Sequence, residues 1–557
     1  MNGVQLQKKR SPETLPQMLP HGGDAADDAR AARRDADARV NVAAGVFDPC
    51  VRECAFVDDD NDRKRRSGAA FQALVATCAE QFLAHATGRE GEHVVIASVM
   101  RPSVIGFACW LATNAIGAVA APLSSRWGAT ETVDAARRVG AVLVVCDEDG
   151  IESARDAVGF GIRVIRAEEL IAATEGVDVH DEAFARLAQT VERTTRRVGG
   201  EDVCLYCHTS GTTTGVAKAA MLTHAGICAA SAAKLQCVGY DTNDIFLHFA
   251  PMFHIGGMSS AHAAFVAGAN HIFMKEFVAE RVLEVISRER VTAFIAVPTM
   301  MTMLLRAVPR ASSSSYPSVK KILIGGGRLV DSLSDVREIF PSAVVTMAYG
   351  MSETSSSVTF MRADDARLVE DATFAGEPAP GVEIKTDASG QLLVRGPQVM
   401  RGYVGIDRAS TFDVDGWFPT GDLGKVVIDA GGARRCWLVG RLKEMIKSGG
   451  ENVAPQEVES VLCAHDNVAH AVVIGVPHAL WGEAVAAVVR LKAPRDDAIR
   501  ALKAHCAESL ARFKVPKTFV FITDDIPKNA SGKVSRARVR ETYMDAILRQ
   551  VIDDDAS

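Results

Sequence analysis

The chain has 557 residues, 48% of them hydrophobic and 24% charged, with a formal net charge of −7. That is ample for a soluble globular fold of about three or four structural units, and it offers no basic excess of the kind that marks a nucleic-acid binder. Twelve cysteines are scattered without a disulfide framework, which fits a reducing compartment, and no apolar run reaches the ~18 residues of a membrane span.

Residues 1–66 read as a disordered extension. "GGDAADDARAARRDADAR" and "DDDNDRKRR" are dense in mixed charge and lack apolar surface to offset ordering entropy. A transit peptide would be Ser-rich and poor in acids, so the many Asp residues argue against one. The expected location is intracellular and cytoplasmic by default, with plastid or peroxisome as alternatives. The terminal "DDDAS" is not the usual peroxisomal tripeptide.

Residues 67 to about 345 alternate helix-like stretches with short apolar strands: "HVVIASV", "AVLVVCD", "TAFIAVP", "KKILIGGG" and "AVVTMAYG". "VIGFACWLATNAIGAVAAPL" comes nearest to a membrane span, but Asn114 and its glycines make it a buried helix leading into a strand. "FVAERVLEVISRER" has the spacing of an amphipathic helix. Cys204 and Cys207 form a C-x-x-C with no second pair at zinc-ligand spacing, so they read as strand residues. Between about 375 and 440, "GVEIKTDASGQLLVRGP" shows short alternating strands around a turn, which predicts a small antiparallel β unit. An α+β tail follows, with the division at Arg441 to Lys443. The predicted fold is α/β. Residues 67–440 form a large domain of parallel α/β sheets plus the small β unit, and 441–557 form a small mobile α+β domain.

Five short stretches carry chemistry. "HTSGTTTGVAKAAMLTH" gathers Thr209, Ser210, Gly211, Thr212, Thr213, Thr214, Gly215 and Lys218, hydroxyl, backbone and ammonium donors suited to a polyphosphate tail. It is not the G-x-x-x-x-G-K-[ST] loop, because its glycines are too close and Lys218 does not follow the second. Alone, such a run also suits a flexible linker. "AYGMSET" follows an apolar strand, at the end where α/β proteins place ligands. Tyr349 offers a flat face, Ser352 a hydroxyl, and Glu353 a hard carboxylate for Mg²⁺, while a capped helix start is the plainer reading. "GWFPTGDLG" sets Asp422 in a Gly-flanked turn. "GRLKEMIKSGGENVAPQEVE" supplies Arg441 and a charged, glycine-bearing hinge. "PKNASGKVSR" presents Lys533, able to stabilise charge at a phosphoryl centre.

In order and spacing these five resemble the adenylate-forming superfamily of acyl-CoA synthetases, luciferases and peptide-synthetase adenylation domains, over roughly residues 67 to 545. The resemblance implies that Thr209 to Gly215 and Lys218 orient the β- and γ-phosphates of ATP, and that Gly325, Gly326 and Gly327 lie along adenine. Tyr349 would stack on adenine, within a nucleotide loop that includes Gly350 and Met351. Ser352 would contact the α-phosphate and Glu353 would bind Mg²⁺. Asp422 and Arg441 would hold the ribose. Lys533 would serve adenylation, and Lys443 would be the hinge between half-reactions. ATP and coenzyme A would be co-substrates, and a small carboxylic acid the third partner. No carrier domain follows Lys533, which favours free coenzyme A as acceptor. No feature sets an oligomeric state.

Several stretches, among them "DIFLHFAPMFHIGGMSS" and "RLKEMIKSGGENVAPQEVE", resemble the plant-type 2-succinylbenzoate–CoA ligase branch of naphthoquinone synthesis. That branch implies activation of the succinyl carboxylate, with AMP and pyrophosphate released. The ring carboxylate would stay charged and need a buried partner. His254 stands where amino-acid activators usually carry Asp; with Ser259, Ser260, Thr299 and Ser355 to Ser357 it is a candidate for the acyl pocket. The alternatives are the same chemistry on 4-coumarate or a medium-chain fatty acid, and a non-catalytic nucleotide-binding regulator. The regulator reading rests on the departure of "SGTTTGVAKA" from S-G-T-T-G-x-P-K-G by an extra Thr and two alanines.

Overall fold

Parallel strands covered on both faces read as unbroken apolar runs, and these runs build the centre of the molecule. The computed structural model describes residues 41–555 except 44–45, 47–48, 60–63, 87–93, 176, 178–184, 186–187, 190–197, 210–216, 309–314, 328, 330–332, 372, 430, 449–450, 479 and 529–533. One six-stranded sheet runs Arg163–Arg166, Ala141–Cys146, Val95–Val99, Val119–Pro122, Val203–His208, Ala219–Thr223, parallel throughout except for the last pair. In a second sheet, Ala55–Asp58, Asn270–Phe273, Ile245–His248, Ala293–Ala296, Lys321–Gly325 and Val344–Tyr349 are successive parallel neighbours. The stretch Val104–Ala115 is a helix capped by the Ser103 hydroxyl and buried at all but one residue, leading into the strand Val119–Pro122. Ala279–Glu289 is amphipathic: Ala279, Val282, Leu283, Val285 and Ile286 are buried, and it ends where Arg290 turns left-handed. No described helix is long and apolar enough to cross a membrane.

One boundary differs from the sequence reading. Order begins well before residue 67. Phe56 is fully buried and stacks on Phe71 at 3.8 Å, while Asp59 ion-pairs with Arg281 and Arg288. The charge of "DDDNDRKRR" masks this short strand, and the helix Ala279–Glu289 supplies its countercharge. Residues 1–40 lie outside the described residues. The antiparallel strands after 375 join the large domain's second sheet. Phe374–Pro378 pairs with both Thr359–Arg362 and Arg434–Arg441, so Phe418–Ile428, Gln391–Arg395 and Glu383–Thr386 extend the same path as the parallel strands.

A third sheet, Glu451–Val453, Ile446–Ser448, Gly482–Leu491, Val468–His478 and Thr518–Ile522, has cores drawn from residues beyond 445. The short turn Leu442–Glu444 carries the chain into it from the strand Arg434–Arg441.

Candidate active site

The stretch expected to handle phosphate is flanked by two strands paired as a β-hairpin. Val203–His208 and Ala219–Thr223 pair antiparallel with His208 opposite Ala219, and the Thr209 N–H donates to the Lys218 carbonyl at 2.8 Å. The strand register is regular immediately on both sides of the stretch that carries the extra Thr. Ser210, Gly211, Thr212, Thr213, Thr214 and Gly215 lie outside the described residues. Lys218 stands at the hairpin neck with its ammonium 4.9 Å from the centre of the Tyr403 ring, a cation–π contact. Residues 401–404 are laid against the second hairpin strand by main-chain bonds: Arg401 N–H to Met221 O and Met221 N–H to Gly402 O, both 2.8 Å, and Val404 N–H to Ala219 O at 3.0 Å. The Tyr403 hydroxyl donates in turn to Glu353 Oε1 at 2.7 Å. Burial first, and then the Glu353 charge, raise the Tyr403 phenol well above its ordinary value, so it stays a donor.

Ser352, Glu353 and Thr354 form a single 3-10 turn after Val344–Tyr349, with Met351 at its start donating its N–H to Thr354 Oγ1 at 3.0 Å. The helix that a capped start would open stops there, because Ser355 and Ser356 are both left-handed, at φ 50° and 63°. The chain folds back so closely that a Cβ on Gly350 would lie 2.4 Å from the Ser356 carbonyl carbon. Ser352 hydrogen-bonds Cys207 in the first hairpin strand; burial pushes that thiol up to about 12 and the Ser352 bond pulls the other way. Gly325 pairs with Ala348, so Gly325 to Gly327 leave their strand at the level where Tyr349 ends its own. Gly327 has Pro298 against it, and Thr299 follows in the first turn of the helix Pro298–Ala307.

Asp422 does not sit in a turn. It lies within the strand Phe418–Ile428, directly opposite Arg441. Gly421, at φ 74°, and a register shift at Leu423/Gly424 give the strand the irregularity that mimics a turn in sequence. The buried Asp422 carboxylate accepts from the Tyr349 hydroxyl at 2.8 Å and pairs with Arg441 Nε at 3.0 Å. Tyr349, Asp422 and Arg441 are thus one cluster, formed by the meeting of the parallel and antiparallel halves of the sheet.

Lys443 is exposed in the turn Leu442–Glu444, where the chain passes between sheets. Lys533 lies outside the described residues; the flanking residues Lys528 and Val534 are bridged, and Arg536 binds Glu444 at 2.6 Å and Glu459 at 2.6 Å. His254 starts the helix Ile255–Val266, on which Ser259 and Ser260 are fully buried. Two residues in this region escape sequence reasoning. Tyr403 carries no local signal. Lys234 does carry one, as the lone charged residue of the fifteen-residue helix His224–Val238.

A model of the AMP-binding enzyme family matches residues 47–404, and one of the AMP-binding enzyme C-terminal domain matches 457–533. The chain belongs to this family. It is 35% identical over 483 residues to the chloroplastic/peroxisomal 2-succinylbenzoate–CoA ligase of Arabidopsis thaliana, covering 78% of this chain and 85% of that one. To the indoleacetate–CoA ligase of Aromatoleum aromaticum it is 34% identical over 359 residues, 62% and 68% of the two chains. Among solved structures, ATP-bound MatB from Rhodopseudomonas palustris superposes with a TM-score of 0.78 at 29% identity, over 91% of this chain and 99% of that one. The o-succinylbenzoate CoA synthetase of Bacillus subtilis, solved with the acyl-adenylate OSB-AMP, gives 0.73 at 27% identity over 90% and 98%. Within the family the chain is an AMP-forming acyl-CoA synthetase, a class that works on ATP and coenzyme A with Mg²⁺.

Proposed function

We infer that the chain joins 2-succinylbenzoate to coenzyme A through an acyl-adenylate. The observation that carries this reading is the 35% identity spanning 85% of the Arabidopsis ligase. The aliphatic carboxylate oxygen attacks the α-phosphorus of ATP, and the bond to pyrophosphate breaks. The thiol sulfur of coenzyme A then attacks the acyl carbon, the thiol proton passes to solvent, and AMP leaves with the acyl–oxygen electrons.

The site supports a role for each group. Lys218 and the hairpin loop would hold the β- and γ-phosphates, and Ser352 the α-phosphate. Tyr349, Asp422 and Arg441 would hold the nucleoside, since a carboxylate already bonded twice keeps lone pairs for ribose hydroxyls. Glu353 fits a Mg²⁺ held jointly with substrate phosphates. Tyr403 engages one of its oxygens, and the described residues contain no group of three or more metal-ligating side chains that would form an all-protein cage. When bound, the ion supplies charge neutralisation at the phosphates. Lys533 would stabilise the α-phosphate during adenylation, and rotation at Lys443 would withdraw it for the thiol step.

A second reading, the same chemistry on another aryl acid, is favoured by the 34% identity to the indoleacetate ligase. One experiment separates them: product mass after incubation with Mg²⁺-ATP, coenzyme A and a panel of 2-succinylbenzoate, indole-3-acetate, 4-coumarate and octanoate. Succinylbenzoyl-CoA with AMP as the dominant products is the expected result. Preference for another acid overturns the substrate, and absence of AMP with every acid favours a non-catalytic regulator.

A further inference from the structure

Lys234 is a charged residue placed where charge is costly. It lies on the helix His224–Val238, is 1% exposed, and among the described residues pairs with no carboxylate. Its ammonium instead donates to three hydroxyls: Ser259 Oγ at 2.9 Å, Ser357 Oγ at 3.0 Å and Ser356 Oγ at 3.3 Å. These hydroxyls come from two elements that bound the site, the helix Ile255–Val266 and the left-handed turn just after Ser352–Thr354. Hydroxyl dipoles satisfy the geometry of an ammonium but leave its net charge uncompensated, and burying an ion without a counterion is unfavourable.

The cage is not closed on every side. Ser259 passes its own proton to Ile255 O at 2.7 Å and is fully buried, as is Ser357. Ser356 is only half-buried, makes the longest of the three bonds to Lys234, and faces Ser259 Oγ at 2.9 Å. Its main chain packs directly on Gly350, in the loop expected to carry the nucleotide. An anion entering beside Ser356 would replace the weakest contact of the ammonium and supply the missing countercharge.

We propose that Lys234, with Ser259, Ser356 and Ser357, is the recognition element for a second carboxylate on the substrate, and so selects dicarboxylic over monocarboxylic acids. This rests on the 2-succinylbenzoate reading and names the group that would hold the ring carboxylate. Lys234 is the one buried cation bordering Ser259 and the Ser355–Ser357 turn for which the described residues provide no carboxylate. Burial, which lowers its proton affinity to about 7, is what a counter-anion would reverse. Its charge also bears on His262 in the neighbouring helix, whose own proton affinity is lowered chiefly by burial.

The test compares kcat/KM for 2-succinylbenzoate with that for 4-oxo-4-phenylbutanoate, which lacks only the ring carboxylate. In Lys234→Met the ratio of the two should fall by roughly 100-fold or more, through KM for the dicarboxylate. A ratio within twofold of wild type, with both substrates losing activity together, overturns the assignment and leaves Lys234 a structural strut. Where Lys234→Met fails to fold, Ser356→Ala decides, because it alters only the half-buried mouth: the ratio should drop at least fivefold, and an unchanged ratio overturns the proposal. Wild type preferring the monocarboxylate overturns the substrate reading itself, and this assignment with it.

Discussion

The Tyr349 hydroxyl donates to Asp422 Oδ2 at 2.8 Å, across 73 residues of sequence, and Arg441 binds the other oxygen of the same carboxylate. A buried carboxylate held from both sides has a fixed orientation, which is what recognition of a ribose diol requires. Burial first, then the Asp422 charge, raise the Tyr349 phenol well above its ordinary range, so the donor persists at any working pH. Tyr349→Phe keeps the ring and removes only this bond. A hydrogen bond to a charged group contributes about 1.5–3 kcal/mol, so KM for ATP should rise roughly ten- to a hundredfold while KM for the acid changes little. Steady-state AMP release checks this. An unchanged KM for ATP would show that Asp422 is not positioned through Tyr349.

Tyr403 links the hairpin neck to the carboxylate expected to bind metal, through Lys218 over its ring and Glu353 at its hydroxyl. Partners that orient a metal ligand are typically worth about 10–100-fold in metal affinity. Tyr403→Phe should therefore shift the Mg²⁺ concentration for half-maximal activity upward by about that factor and leave the Lys218 contact in place. Tyr403→Ala removes both contacts and should also raise KM for ATP. Identical Mg²⁺ titrations for wild type and Tyr403→Phe would sink the idea.

The sequence is most legible where structure is local. The apolar runs at 95–99, 141–146, 293–296, 321–325 and 344–349 are each a strand with a buried centre. It misleads where a glycine has two explanations. Gly421 and Gly424 read as turn residues around Asp422, yet the first feeds a bulge at positive φ. The second is there because a Cβ would lie 2.3 Å from Trp437 O. It is silent where a role is made by distant partners. Nothing near Tyr403 announces Glu353, fifty residues earlier. Lys234 is conspicuous in its apolar helix, but its meaning depends on hydroxyls at 259, 356 and 357. The short strand Ala55–Asp58 is hidden by the charge run that follows it, because composition averages over a window longer than the strand.

Gly350 lets the loop proposed to carry the nucleotide close on itself. A Cβ there would lie 2.4 Å from Ser356 C, 2.6 Å from Ser356 O and 2.7 Å from Ser357 N, all main-chain atoms that cannot rotate away. Gly350→Ala should cost about 1–3 kcal/mol or more, as overpacking does, lower Tm, and displace the Ser356 mouth of the lysine cage along with Ser352. Gly159→Ala is the matched control, because a Cβ at Gly159 meets nothing within 4 Å. Thermal melts of the two variants should differ by several degrees; equal melts would show that the turn yields freely.

The buried ammonium of Lys234 sets a pH dependence whose sign is fixed. Burial lowers it to about 7 in the fold, against ~10.4 for an exposed lysine. Below about pH 7 the group is charged in both folded and unfolded chains, and the fold bears the full burial cost. Between about 7 and 10.4 the unfolded chain binds the extra proton, so stability should rise with pH across that window, by an amount on the order of a few kcal/mol. Lys234→Met, folded, should lack this rise, and the difference in Tm between the two proteins should narrow as pH increases from 6 to 9. Activity should move the opposite way. An ammonium that holds a second carboxylate loses its charge as pH climbs through about 7, so kcat/KM for 2-succinylbenzoate should fall there in wild type. The value for 4-oxo-4-phenylbutanoate should stay level. Parallel pH profiles for the two acids, with the stability difference still present, would assign Lys234 to packing alone.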